Sequence, residues 1–224
     1  MRHIRRNIRR YRRRQAAPLP LPPSREALDV PQRYTFLETG ERFLQFDSGM
    51  GDVDRLLIFA TDHSLDLLAT SQHWFADGTF KVVPGIFFQL YSIHVKVNDD
   101  VVPCVFALLP NKVRATYDRV WDALKQSRNG LNPQSVLMDF EIGAMRSAAQ
   151  AFPNASVKGC LYHLSQSVYR NVQDRGLQRL YQTDPEAALR IRMLPALAFL
   201  PLQEVVPAFE EIEVCLNISG CLCN

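Results

Sequence analysis

Two aspartates follow short apolar runs of the kind that form buried strands. Asp77 comes after residues 73–76, and Asp139 comes after residues 135–138. Carboxylates on neighbouring strands can hold two divalent cations about 4 Å apart, and such a pair stabilises the attacking and leaving oxygens of a phosphoryl displacement. The sequence therefore predicts a divalent-cation site at Asp77 and Asp139. Each residue alone has another explanation, because Asp77 with Gly78 is a common turn pair and Asp139 could cap a helix.

Cys160 and His163 form a second candidate metal pair. Their C-x-x-H spacing, at a predicted strand-to-helix junction, supplies a thiolate and an imidazole, which suit zinc. A structural zinc site needs about four ligands, and no second pair is nearby in the sequence. Cys215, Cys221 and Cys223 are the remaining thiols that could complete it. The alternative, a buried thiol and a histidine at a helix start, is the simpler interpretation.

The elements that would position the aspartates follow the order βββ-α-β-α-β-α. Strands are predicted at about 73–82, 91–97, 101–109, 135–139 and 155–160. This order indicates an α/β fold of ribonuclease-H-like type, with three antiparallel strands in a mixed sheet and helices on both faces. In that topology the first and fourth strands are neighbours, so Asp77 and Asp139 would lie side by side. Glu141 begins the next helix. It could support the metal-binding acids, but we interpret it as a first-turn glutamate stabilised by the helix dipole.

Positive charge is concentrated at the N-terminus. Residues 1–14 contain eight arginines and no acid, while the remaining 18 basic and 23 acidic residues give −5, which together make the net +3. Such an arm can bind DNA by releasing counterions. The candidate DNA-binding residues are Arg5, Arg6, Arg9, Arg10, Arg12 and Arg13. A solvated tail or a nuclear-import signal explains the same composition, and the latter predicts a nuclear protein.

Composition excludes several classes of protein. An apolar content of 47% in 224 residues is enough for a full core. No apolar run reaches the roughly 18 residues of a membrane span, and the N-terminus lacks the apolar segment of a secretory signal. Five irregularly spaced cysteines predict reduced thiols rather than a disulfide framework. We therefore expect an intracellular protein that does not cross a membrane.

Several short motifs occur in a fixed order along the predicted core. They are Asp77-Gly78-Thr79-Phe80-Lys81, Phe88-Gln89-Leu90-Tyr91, Met138-Asp139-Phe140-Glu141 with Ala144, Phe152-Pro153-Asn154-Ala155, and Cys160-Leu161-Tyr162-His163-Leu164 with Gln166 and Arg170. In order and spacing they resemble the transposase domain of Mutator-like elements, and the animal version associated with FLYWCH-type zinc fingers looks nearest. The resemblance covers about 72–175, with weaker similarity to about 212.

The resemblance implies an Asp-Asp-Glu polynucleotidyl transferase that cuts transposon ends and joins them to target DNA. It assigns Asp77 and Asp139 as the first two acids, with Mg²⁺ or Mn²⁺ as the cofactor. One cation would help to generate the nucleophile and the other would neutralise charge on the leaving oxygen. DNA and further copies of the same chain are the implied partners, and no small-molecule substrate is expected.

The family's third acid lies on a helix beyond a helical insertion, in a segment that nothing here matches. Glu210, Glu211 and Glu213 lie where the insertion would continue, so none of them is assigned to the catalytic position. We expect a C-terminally truncated copy that is incomplete or inactive. The alternative is a domesticated, non-enzymatic remnant that binds DNA or protein.

The chain is predicted to have six segments. They are a basic arm at 1–16, a proline-rich linker at 17–33, a lead-in subdomain at 34–71, the core at 72–182, a partial helical insertion at 183–213 and a divergent tail at 214–224.

Overall fold

The computed structural model describes residues 22–80 and 82–218, except for the side chains of 214–218. The predicted DNA-binding arginines Arg5, Arg6, Arg9, Arg10, Arg12 and Arg13 lie outside the described residues, as do Cys221 and Cys223. The side chain of Cys215 is also outside this description. The described residues therefore comprise the predicted core and the segments on either side of it.

Seven strands form one mixed sheet. They are β1 (Leu44–Asp47), β2 (Leu57–Phe59), β3 (His73–Thr79), β4 (Gln89–Val97), β5 (Asp100–Leu109), β6 (Ser135–Met138) and β7 (Ser156–Gly159). Their order across the sheet is β1-β2-β5-β4-β3-β6-β7. The pairs β3–β6 and β6–β7 are parallel, and the other pairs are antiparallel. The predicted α/β class with a mixed sheet is confirmed, and β1 and β2 of the lead-in segment extend that same sheet.

Helices follow most of the strands. They are α1 (Asp62–Thr70), α2 (Arg114–Ser127), α3 (Ile142–Ala151), α4 (Leu161–Asp174), α5 (Gln178–Thr183), α6 (Pro185–Ala196) and α7 (Leu202–Ile218), with short 3-10 turns at Gln32–Tyr34 and Leu197–Phe199. Local sequence sets several boundaries. Thr61 and Ser64 form a reciprocal capping box at the start of α1. Asp184 caps α6, whose first residue is Pro185, where a missing amide costs nothing.

The first face of the sheet carries the main core. Residues of α1, α2 and α3 join alternate strand residues in one buried cluster. At its centre the rings of Trp74 and Trp121 lie 6.3 Å apart, and the Phe152 ring meets them edge-on at 5.2 and 5.4 Å. Both tryptophans are fully buried. Aromatic side chains bury the largest areas, so this cluster dominates the packing energy of the domain.

The second face of the sheet is covered differently at its β1–β2 end. Leu57 faces a small cluster with Leu44 and Phe87, whereas Ile58 belongs to the main core, because successive strand residues point to opposite faces. Leu28 and Val30 of the lead-in segment pack against this small cluster. Coil rather than a helix therefore covers this end of the second face.

Candidate acidic active site

Strand pairing places the two predicted acids at one edge of the sheet. In the parallel β3–β6 pair, Ala76 lies opposite Met138. Asp77 is the next residue of β3, and Asp139 directly follows the end of β6. Trp74 and Ala76 point into the main core, so Asp77, which alternates with them, points to the second face. The neighbouring strands predicted from the element order are thus present, and they bring the two aspartates to the same level.

Gly78 is part of strand β3 rather than of a hairpin turn. Residues Asp77 and Gly78 pair with Ser92 and Tyr91 of β4. A Cβ added at Gly78 would lie 2.7 Å from Oε1 of the buried Gln89, so a larger residue here would displace that amide group. The turn explanation of the Asp-Gly pair is therefore wrong at this position.

His163 lies beside the first acid. Its Nε2 is 3.6 Å from Oδ1 of Asp77. The position follows from the topology, since β7 runs parallel to β6 and α4 begins two residues after β7 ends. The Cys160 amide donates to the Met138 carbonyl at 2.7 Å, which fixes this junction against the end of β6. His163 therefore belongs to the acidic edge.

Burial and charge together perturb Asp139. Burial raises its pKa, the nearby His163 and Lys112 oppose that shift, and the negative charge of Asp77 adds to it. The net direction is upward. A carboxyl whose pKa is raised mainly by burial, and further by a neighbouring acid, is typical of sites that bind a cation.

Glu141 lies just before the first turn of α3 rather than in it. Its side chain makes no capping bond. Its Oε1 instead accepts a hydrogen bond of 2.6 Å from the Tyr117 hydroxyl, which accepts one of 2.6 Å from Nε2 of Gln89. Burial raises the pKa of Glu141, the bond from Tyr117 opposes this, and the charge of Asp139 adds to it. Glu141 is thus a third carboxylate, near Asp139 and held by a buried tyrosine.

Sequence reasoning missed this contact because Tyr117 fits the apolar face of α2. The sequence did contain one indication of the contact, because the hydroxyl of a buried tyrosine needs a hydrogen-bond partner.

A second polar pair also lies on the face of Asp77, where Nε2 of His94 is 2.9 Å from Oγ of Ser92. Burial lowers the pKa of His94, and the charge of Asp77 opposes that shift.

The donor set fits one kind of metal better than another. Magnesium is commonly held by one or two carboxylates and completes its shell with water and phosphate oxygens. Asp77 and Asp139 supply two such oxygen donors. Within residues 22–80 and 82–213, no group of three or more His, Cys, Asp and Glu side chains forms a metal-holding set. A cation here would need oxygens from solvent or substrate, and zinc at Cys160 and His163 remains an untested prediction.

The geometry defines an α/β domain with an acidic edge, and one known family model matches part of this domain. Residues 73–167 match the family model of the MULE transposase domain. The matched segment begins at β3 and ends within α4, so it contains both aspartates and the Cys160–His163 pair. No curated protein matches the chain. Among the described helices, none is long and apolar enough to cross a membrane.

Proposed function

We propose that residues 72–182 are the catalytic core of a Mutator-like transposase of ribonuclease-H-like type, in which Asp77 and Asp139 hold Mg²⁺ or Mn²⁺ for DNA cleavage and strand transfer. The observation that carries the proposal is the parallel pairing of β3 and β6. It brings the two acids together inside the segment that matches the MULE transposase domain. Transposition also makes DNA the expected partner and the nucleus the expected location.

The bound cations would generate the nucleophile and neutralise charge on the leaving oxygen. The protein's own groups would bind and orient. Asp77 and Asp139 would supply the carboxylate oxygens, and His163 beside Asp77 would restrict the orientation of that carboxylate. Tyr117 holds the Glu141 carboxylate, whose charge interacts with that of Asp139.

We further propose that residues 1–224 carry only two of the three catalytic acids. The resemblance assigns no third acid to the chain, and α7, which carries Glu210, Glu211 and Glu213, lies where the family's helical insertion would continue. Without that acid the second cation should bind weakly. Little or no strand transfer is therefore expected from this polypeptide alone. The likeness to the FLYWCH-associated type belongs to the same proposal.

A strand-transfer assay with Mg²⁺ or Mn²⁺ tests this proposal. The wild type is compared with Asp77→Asn and Asp139→Asn, and Asp99→Asn serves as the control because Asp99 lies in the turn between β4 and β5, at the opposite edge of the sheet. Activity that disappears in both site variants but not in the control would establish the chemistry and overturn the inactive interpretation. Activity that survives both substitutions would contradict the assignment of the acids.

A non-enzymatic DNA-binding remnant is the second candidate function. The observation that favours it is the eight-arginine segment at residues 1–14 in a chain that lacks an assigned third acid. Binding to plain duplex DNA should weaken steeply between 50 and 200 mM salt, as about six to ten phosphate contacts would require. Deletion of residues 1–16 should remove most of that affinity. An unchanged affinity after deletion would exclude the arm as the binding element.

A further inference from the structure

Four exposed aromatic side chains surround the acidic edge. Phe80 follows β3, Phe88 precedes β4, Phe140 follows β6 and Tyr162 follows β7, and they are 46%, 44%, 51% and 67% exposed. Because β4 runs antiparallel to β3, its first residue lies at the same edge as the last residue of β3. Phe80, Phe88, Phe140 and Tyr162 are called the aromatic rim below. Its position coincides with the strand ends that carry Asp77 and Asp139.

The rings of the aromatic rim are held in defined positions. Phe80 and Phe88 meet edge-to-face at 5.5 Å, and Tyr162 meets the His163 ring in the same way at 5.6 Å. The Phe140 ring lies against the backbone of Gly159, where an added Cβ would be 2.2 Å from the ring. Water-exposed rings that are fixed in this manner form ready surfaces for stacking with little loss of entropy.

Helix α4 continues the rim with polar and cationic groups. Tyr162, Gln166 and Arg170 recur every four residues and so share one face of the helix. Gln166 donates to the Tyr162 hydroxyl at 3.3 Å, and Arg170 donates to Gln166 at 2.6 Å. A guanidinium has five N–H donors, and this bond uses one. The eight helical rises from Tyr162 to Arg170 span about 12 Å.

This combination matches a nucleic acid strand better than a protein partner. Exposed rings that stack bases, together with cations that contact phosphates, are the common means of binding single strands. The cores of protein interfaces are depleted in charged groups. Here the rings are interspersed with Asp139, Glu141 and Lys112, whose charges act on one another.

We propose that the aromatic rim and the Tyr162–Arg170 face of α4 bind the unpaired nucleotides of a DNA end. Bases would stack on the rim while Arg170 contacts a phosphate, and this would bring the adjoining phosphate to the acids. The inference rests on the proposed function for DNA as the substrate. It goes further by naming an unpaired strand end as the form that is recognised.

Binding of the full-length chain to two labelled DNAs tests this inference. One is a blunt duplex, and the other carries a six-nucleotide single-stranded overhang with 2-aminopurine in it. The wild type should bind the overhang about tenfold more tightly, the factor that one stacked base supplies. Tyr162→Ala should remove this preference and the change in 2-aminopurine fluorescence, and Tyr162→Phe, which keeps the ring, should retain both.

Tyr34→Ala is the matched control, since Tyr34 is 48% exposed but precedes β1 at the far side of the sheet. Equal affinity of the wild type for both DNAs, or an unchanged preference in Tyr162→Ala, would overturn the inference. So would dimerisation that Tyr162→Ala abolishes, because the rim would then bind a second copy. The binding is measured in EDTA, so it does not depend on bound cations. A protein that prefers overhangs but binds no Mn²⁺ through Asp77 and Asp139 would refute the catalytic proposal and leave this one intact.

Discussion

The two faces of strand β3 differ in composition, since one is apolar and buried and the other carries a carboxylate. On one face Trp74 and Ala76 are 0% and 4% exposed and belong to the main core. On the other face Asp77 pairs across the sheet with Ser92 and lies near His163. One strand therefore supplies both the packing that fixes its position and the carboxylate that this position presents. Substitutions one residue apart on β3 should therefore affect different properties, stability on one face and cation or DNA binding on the other.

The largest effect is expected in the aromatic core. Trp121→Ala removes a fully buried ring that packs on Trp74 and Phe152, so the free energy of unfolding should fall by about 3–5 kcal/mol. Urea denaturation followed by far-UV circular dichroism measures this loss. Tyr162→Ala, at an exposed ring, should change stability by less than about 0.5 kcal/mol. Similar losses of stability in the two variants would contradict the distinction between the buried core and the exposed ring.

An ion pair outside the acidic edge should make the stability of the protein depend on pH. The Arg55 guanidinium is almost fully buried and lies 2.6 Å from Oδ2 of Asp47. Burial alone would raise the pKa of Asp47, but the bonds from Arg55 and the Gly49 amide outweigh it, so the pKa is lowered. The stabilisation is therefore fully present above the ordinary aspartate pKa of 3.8 and is lost as the pH falls through the lower, folded-state value.

Asp47→Asn provides the measurement. The variant should be less stable than the wild type at pH 7, and the difference should shrink once the pH falls below 3.8. Urea titrations at several pH values give both curves. A difference between the two proteins that stays constant down to pH 2 would contradict this assignment.

A smaller loss of stability is expected from a substitution where the core meets the acidic edge. Tyr117→Phe keeps the buried ring but removes the hydroxyl that links Gln89 to Glu141, so stability should fall by about 1–2 kcal/mol. The same variant should weaken Mn²⁺ binding, because Glu141 would lose the bond that holds it near Asp139. Thr116, beside it on α2, bonds to Asn111 instead, so Thr116→Val offers a control. An equal loss of Mn²⁺ affinity in the control would show that only folding is affected.

The smallest effect on stability is expected at the acids themselves. Burial and the charge of Asp77 both disfavour ionised Asp139, although His163 and Lys112 offset part of this. Asp139→Asn should therefore leave the free energy of unfolding unchanged or raise it by a few tenths of a kcal/mol. Differential scanning calorimetry measures the change. A loss above about 1 kcal/mol would mean that Asp139 supports the fold rather than the chemistry.

The sequence predicted what depends on local pattern and chain order. Alternation and apolar runs located β3 to β7, and the order βββ-α-β-α-β predicted that β3 and β6 are neighbours. It did not show that Tyr117 reaches Glu141, 24 residues away, because periodicity places a residue on a face without identifying its partner. The approach of His163 to Asp77 was missed for the same reason. The arginine arm remains a prediction, since it lies outside the described residues.

Calorimetric titration of the full-length chain with Mn²⁺ tests the proposed cation site most directly. If Asp77 and Asp139 share one site, the wild type should bind a cation, each of Asp77→Asn and Asp139→Asn should abolish that binding, and the double variant should lose no more than either single one. Asp99→Asn should bind like the wild type. Retention of wild-type Mn²⁺ affinity in either single site variant would contradict the central claim that these two carboxylates act together.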